Sequence, residues 1–329
     1  MQTQKVEISQ KTIIFTVGLL LSLWVLYQIR SIIVLLFIAF ILMTAVNPLV
    51  KLAKKIKIPT IVVMLIIYFG LIALISTVIA SLVPAVVEQT KGFTLALPNY
   101  LHSIEDIFNT QFNPNVIGDY LNSIPSNILK LAGGIFSNLL SIFALFFMAY
   151  YLVLERPHLH KYLLKFFEDK DAEYRAEAMV LAVEQKVGGW VRGELVLMVI
   201  IGVLTYVGLL ALGVPYALPL ALLAGFLEVV PNLGPTIAAV PALIIGLTVS
   251  PLVALGTLIL SIVIQQLENN LIVPKVMESA TGTEPLVTIL VLLVGFTLGG
   301  VAGAILAMPI YLTVQTVIKA FNPDQKGRS

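Results

Sequence analysis

Cysteine is absent from this 329-residue chain, histidine occurs three times, and Asp, Glu, Lys and Arg together make up only 12%. The first absence removes disulfides and thiolate metal sites. The histidines, His102, His158 and His160, fall in the more polar stretches, and no HExxH, GxSxG or GxGxxG with a following acid occurs. A P-loop is missing too, which argues against nucleotide hydrolysis as an energy source. The chain therefore reads as no enzyme, with no cofactor, no metal and no nucleic-acid partner. The shortage of charge says most, because a soluble domain carries about 25% charged residues.

Apolar sequence takes the place of charge. The chain is 59% hydrophobic with a mean hydropathy of +1.00. Apolar windows run over roughly 12–29, 32–50, 60–83, 135–154, 195–213, 216–230, 236–250, 252–273, 286–300 and 301–318. Several approach the roughly 20 residues that cross a hydrocarbon core of about 30 Å. The pattern predicts an all-α polytopic membrane protein with about eight transmembrane helices. No small-residue cleavage site follows the first window, so 12–29 is expected to be a retained span.

Orientation follows from the basic residues. With the first span running outward, seventeen of the 20 Lys and Arg fall on the cytoplasmic side, and only Arg30, Lys91 and Lys130 fall outside. The positive-inside rule therefore places both termini in the cytoplasm. The expected organisation is N-terminal transmembrane helices over 1–83 and an amphipathic extracytoplasmic region over 84–134. A transmembrane helix and a charged cytoplasmic helix follow over 135–194, with GGW at 188–190 as the junction to the next span. A transport core over 195–318 and a cytoplasmic tail over 319–329 complete the chain.

Two segments of the core are short and interrupted. Residues 225–243 read GFLEVVPNLGPTIAAVPAL, and residues 295–311 read GFTLGGVAGAILAMPIY. Both open on Gly-Phe, pass a glycine-containing break and close on Ala-x-Pro. Paired interrupted hydrophobic segments point to a transport site, because a broken helix exposes backbone groups that must be buried in protein or line a watery cavity. Two ordinary tight hairpins are the plainer reading, and both stay open. The break residues Glu228, Pro231, Asn232, Gly234 and Pro235 in the first segment, and Gly299 and Gly300 in the second, are candidate binding residues for substrate or ion.

Polar side chains in this setting are few. Glu228 is the only charge between Leu195 and Leu267. Such an acid suits a proton carrier or a ligand for a cation or hydroxyl, or it caps the broken helix ends. The run QQLENN adds Gln265, Gln266, Glu268, Asn269 and Asn270. A charge at mid-membrane costs about 3 kcal/mol even on insertion scales, so these residues are expected in a bundle interior or a hydrated vestibule. The alternative is that they mark a helix end before Pro274, where water and headgroups satisfy them.

The run GWVRGELVLMVIIGVLTYVGLLALGVPYALPLALLAGFLEVVPNLGPTIAAVPA, with QQLENNLIVPKVM and GGVAGAILAMPIY, resembles the bacterial AI-2E family of transporters. The family's E-x-x-P-x-x-G-P element is matched by Glu228, Pro231, Gly234 and Pro235. The resemblance implies a multi-pass protein of the bacterial inner membrane that carries out secondary transport. It also implies export of a small solute, one like autoinducer-2 in the sense that the family is named for it, while other members have been proposed to exchange Na⁺ for H⁺. Three readings stay open: a small-solute exporter, a Na⁺/H⁺ antiporter using Glu228 or Glu268, and a non-transporting scaffold. The expected partners are a small solute or cation, the lipid bilayer and further copies of the chain in a homo-oligomer.

Overall fold

A computed structural model of the chain describes residues 10–74, parts of 76–88, residues 130, 133 and 134, and then 139–167, 171–231, 234–277 and 283–321. Nearly all of the expected amphipathic region over 84–134 lies outside the described residues. Every described element is helical. Seven helices are long and apolar enough to cross a membrane, and two shorter apolar helices accompany them. The protein is polytopic and all-α.

Helices α1 (Gln10–Gln28) and α2 (Arg30–Lys55) are separated by Ile29 alone. Helical bonds bridge the joint, from the Ile29 amide to Val25 and from the Ile33 amide to Ile29. Arg30 marks the joint, stacking over the Tyr27 ring and donating to the Tyr27 carbonyl. Helix α1 has no buried residue. The N-terminal core forms instead between α2, α3 (Thr60–Ser81) and α4 (Leu139–Glu155), where Met43, Val50, Met64, Tyr68 and Ala149 pack together.

After a short helix, α5 (Leu159–Leu163), the chain enters α6 (Ala172–Ala211), 40 residues long. At 1.5 Å per residue α6 is about 60 Å long, twice the thickness of a hydrocarbon core. The charged segment and the following span are therefore one rod, and no junction falls at Gly188. That glycine serves packing, since a side chain there would lie 2.8 Å from the Thr44 carbonyl of α2.

Two helical hairpins flank α9 (Pro251–Leu267). The first joins α7 (Ala217–Leu227) to α8 (Gly234–Val249). These arms are about 17 and 24 Å long, so neither crosses alone. The second lies within the segment α11 (Pro285–Phe321), which breaks at Gly299 and Gly300. A Cβ on Gly295 would lie 2.6 Å from the Gly303 carbonyl. In a straight helix residues eight apart would be about 12 Å apart, so the chain turns back on itself here. Gly300 makes the turn possible, because φ 61 with ψ −145 is a conformation that L side chains avoid.

Between the hairpins, α9 starts on a Ser250 cap whose side chain accepts the Val253 amide, with Pro251 at the first turn. It ends in a π turn over Glu268–Ile272, followed by α10 (Val273–Met277). Helix α9 packs on α8 and α6, α7 packs on α6 and α8, and α11 packs on α6.

Candidate functional site

Glu228 closes α7 in helical geometry, with its amide bonded to the Ala224 carbonyl. The chain then tightens, the Val229 and Val230 amides reaching only three residues back. Gly234 starts the returning arm pressed against the backbone of Leu227 and Glu228, where any side chain would collide. This close approach folds the tip inward and takes Glu228 to 0% exposure. Neither of its carboxylate oxygens has a hydrogen-bond partner among the described residues.

Glu268 stands where α9 gives way to the π turn, also at 0% exposure. Gln265, one turn earlier, donates to its Oε2 at 3.4 Å and accepts from the Thr236 hydroxyl at 3.3 Å. Gln265 thus ties α9 to the first turn of α8. The Glu228 and Glu268 carboxyl groups lie close enough to interact electrostatically. Two ionised carboxylates only accept, so a hydrogen bond between them needs a proton on one. With that proton, the otherwise unpartnered Glu228 gains its donor.

A third acid completes the cluster. Glu194 on α6 is 3% exposed, has no partner for either oxygen among the described residues, and is close enough to interact electrostatically with both Glu268 and Glu228. No lysine or arginine among the described residues forms an ion pair with any of the three. Nor, among the described residues, do three or more acids or histidines converge closely enough to hold a metal ion. Burying charge without compensation costs several kcal/mol per ion. A buried carboxyl group avoids that cost when it is protonated.

Of the residues singled out in the sequence, the structure gathers Glu228, Gly234, Pro235, Gln265 and Glu268 at this tip. Pro231 is half-buried beside them, and Asn232 lies outside the described residues. Gln266, Asn269 and Asn270 are exposed, and Asn270 donates to both the backbone and side-chain oxygens of Gln266. The helix does not end before Pro274, since it runs on from the π turn through Pro274 to Met277, and these three lie on its exposed side. Gly299 and Gly300 sit exposed at the other hairpin's tip, where an added side chain would meet nothing within 4 Å. That hairpin is anchored elsewhere, through Met308 and Leu312 on Val183, Val187 and Trp190 of α6.

Sequence reasoning passed over Glu194 because it sits where the charged part of α6 ends and the apolar part begins. It also passed over a second buried polar cluster. Glu184 of α6 accepts from Asn47 of α2 and pairs with Arg156 just beyond α4, at 2.6 Å. This pair holds α6 to the N-terminal bundle.

Comparison with known proteins agrees with the architecture. The model of the family described as "AI-2E family transporter" matches residues 13–322. The chain is 31% identical over 311 residues to "Putative transport protein YueF" of Bacillus subtilis, covering 86% of this chain and 81% of that one. It is 26% identical over 273 residues to a "Putative transport protein" of Haemophilus influenzae, covering 76% of each. Against "Putative permease PerM" of Escherichia coli K12 it is 26% identical over 287 residues, covering 80% of this chain and 78% of PerM.

Proposed function

The chain belongs to the AI-2E transporter family, and from that premise we propose that it is a proton-coupled secondary transporter of a small solute, with the Glu228–Glu268 pair as the proton-carrying element. The observation that carries this reading is the burial, near each other, of two carboxyl groups without a cation, one of them at the tip of a hairpin too short to cross the bilayer. A proton between them relieves the repulsion, and its release leaves a buried charge that favours another arrangement of the tip. Residues 195–318 form the transport core in this reading. Bacterial relatives and the distribution of basic residues support the bacterial inner membrane, with both termini cytoplasmic.

Export of a solute like autoinducer-2 is the case the family name suggests, and the direction of flux belongs to that proposal. Exchange of Na⁺ for H⁺ is a second reading, favoured by the lack of any basic partner for Glu194, Glu228 and Glu268 among the described residues. Proteoliposomes with a trapped pH dye separate the two. A Na⁺ pulse that moves protons through wild type and not through Glu228→Gln supports exchange. No response to Na⁺, together with autoinducer-2 movement driven by a pH gradient, supports solute transport. Undiminished proton coupling in both Glu228→Gln and Glu268→Gln would remove the carboxyl pair from the mechanism.

A further inference from the structure

Four lysines stand within seven residues where α2 ends: Lys51, Lys54, Lys55 and Lys57. No acid occurs in the sequence between Glu7 and Glu88. All four lysines are exposed, and none of their side chains makes a salt bridge or hydrogen bond among the described residues. The negative end of a helix attracts cations in its last turn, which accounts for Lys54 and Lys55. It does not account for Lys51, a turn earlier, or for Lys57, beyond the helix. Lys57 has φ 61, the left-handed conformation in which glycine is the usual residue after a helix end. A charge is kept there against the local backbone preference.

The surroundings of these lysines are apolar. Helical spacing sets Leu49, Leu52 and Ile56 on one stripe, each more than half exposed, and Lys51 and Lys55 on the next. A second segment lies at the same end of the bundle, because Leu159 of α5 packs on the core that contains Val50 of α2 and Val153 of α4. Along α5 and the turn over Leu164–Phe166, Lys161, Tyr162, Lys165 and Phe166 are exposed. Two acids near this segment are engaged: Glu155 accepts from the Tyr162 hydroxyl at 3.1 Å, and Glu173 lies 3.7 Å from His160. Lysines flanked by exposed aliphatic and aromatic side chains, at the ends of membrane-crossing helices, match the headgroup layer. There the ammonium groups reach outward, while stems and rings stay at the acyl boundary.

We propose that this surface seats anionic phospholipid headgroups, with the ammonium groups of Lys51, Lys54, Lys55 and Lys57 on the phosphates and the acyl chains along Leu49, Leu52 and Ile56. A zwitterionic lipid carries its own cation beside the phosphate and competes poorly. Near an anionic surface each lysine contributes about fivefold in affinity. Two lysines on one headgroup therefore favour anionic over zwitterionic lipid by at least about tenfold. The site recognises lipid charge and stands apart from the buried acids.

The test is native mass spectrometry of the purified full-length protein in detergent, titrated with phosphatidylglycerol or with phosphatidylcholine of the same chain length. The wild type should retain phosphatidylglycerol at least about tenfold more tightly. Changing all four lysines to glutamine should remove that preference, and changing them to arginine should keep it. The double variant Lys51→Gln, Lys55→Gln is milder and should weaken phosphatidylglycerol retention at least about fivefold. Equal retention of the two lipids by the wild type overturns the proposal. So does an unchanged preference in whichever glutamine variant keeps the wild-type melting temperature in lipid-free detergent. Release of phosphatidylglycerol by inorganic phosphate would show a free-anion site and overturn the lipid assignment.

Discussion

Glu228 at the tip of a short hairpin and Glu268 at the end of α9 meet as two fully buried carboxyl groups with no basic side chain paired to either among the described residues. Substituting either acid by glutamine leaves one amide that donates to the other side chain without needing a proton. Proton-coupled flux in proteoliposomes should fall at least about 100-fold in Glu228→Gln and in Glu268→Gln, within the range for loss of a proton-transferring group. Folding should survive, because the amide supplies the missing donor. Aggregation of both variants in detergent would show that the carboxyl pair serves structure first.

Glu194 has neither a hydrogen bond nor an ion pair among the described residues, yet it sits in the electrostatic field of the other two acids. Glu194→Gln should lower proton-coupled flux by about tenfold or more while leaving expression intact. Full wild-type flux in this variant would confine the mechanism to the pair.

Gly234 leaves no room beside the backbone of Leu227 and Glu228. Because backbone cannot swing aside, Gly234→Ala should cost about 1–3 kcal/mol, the range for overpacking a tight site, and open the hairpin tip. Cysteine-accessibility labelling at an engineered Glu228→Cys reports it. Labelling that is equally slow with and without the Gly234→Ala change would contradict the packing argument.

The second hairpin separates steric from conformational demand. Gly299 and Gly300 both have open space around them, but only Gly300 has a positive φ. Gly300→Ala should therefore destabilise by about 1–3 kcal/mol, while Gly299→Ala is nearly neutral. Thermal unfolding of the two variants in the same detergent reads the difference.

Arg156 and Asn47 both engage Glu184, joining α6 to the N-terminal bundle. Arg156→Ala leaves that acid short of its cation and should cost about 3 kcal/mol, as for breaking a buried pair from one side. Adding Glu184→Gln to Arg156→Ala should restore part of the lost melting temperature, and no recovery would show that Arg156 acts independently of Glu184.

The polytopic all-α class, the two interrupted hairpins and the isolation of Glu228 were legible in the residues. Membrane helices announce themselves, since lipid admits a helix only where its side chains are apolar over a fixed length. Breaks announce themselves by Pro and Gly. The face that each polar residue of QQLENN presents was not legible, because the π turn over Glu268–Ile272 departs from the α-helical period on which such a reading depends. That period would put Asn269 on one stripe with Gln265 and Glu268, yet Asn269 is exposed.

By itself, then, the sequence determined the solvent in which this protein folds, where its two hairpins turn and which acid has no local cation. Only the tertiary structure decided that Glu228 meets Glu268, that Glu194 joins them, and that Gly299 and Gly300 stand apart. The reason is physical. Helical periodicity orients a side chain about its own axis, whereas its partner is chosen by how separate helices pack, through close approaches such as that of Gly234 on Leu227 and Glu228.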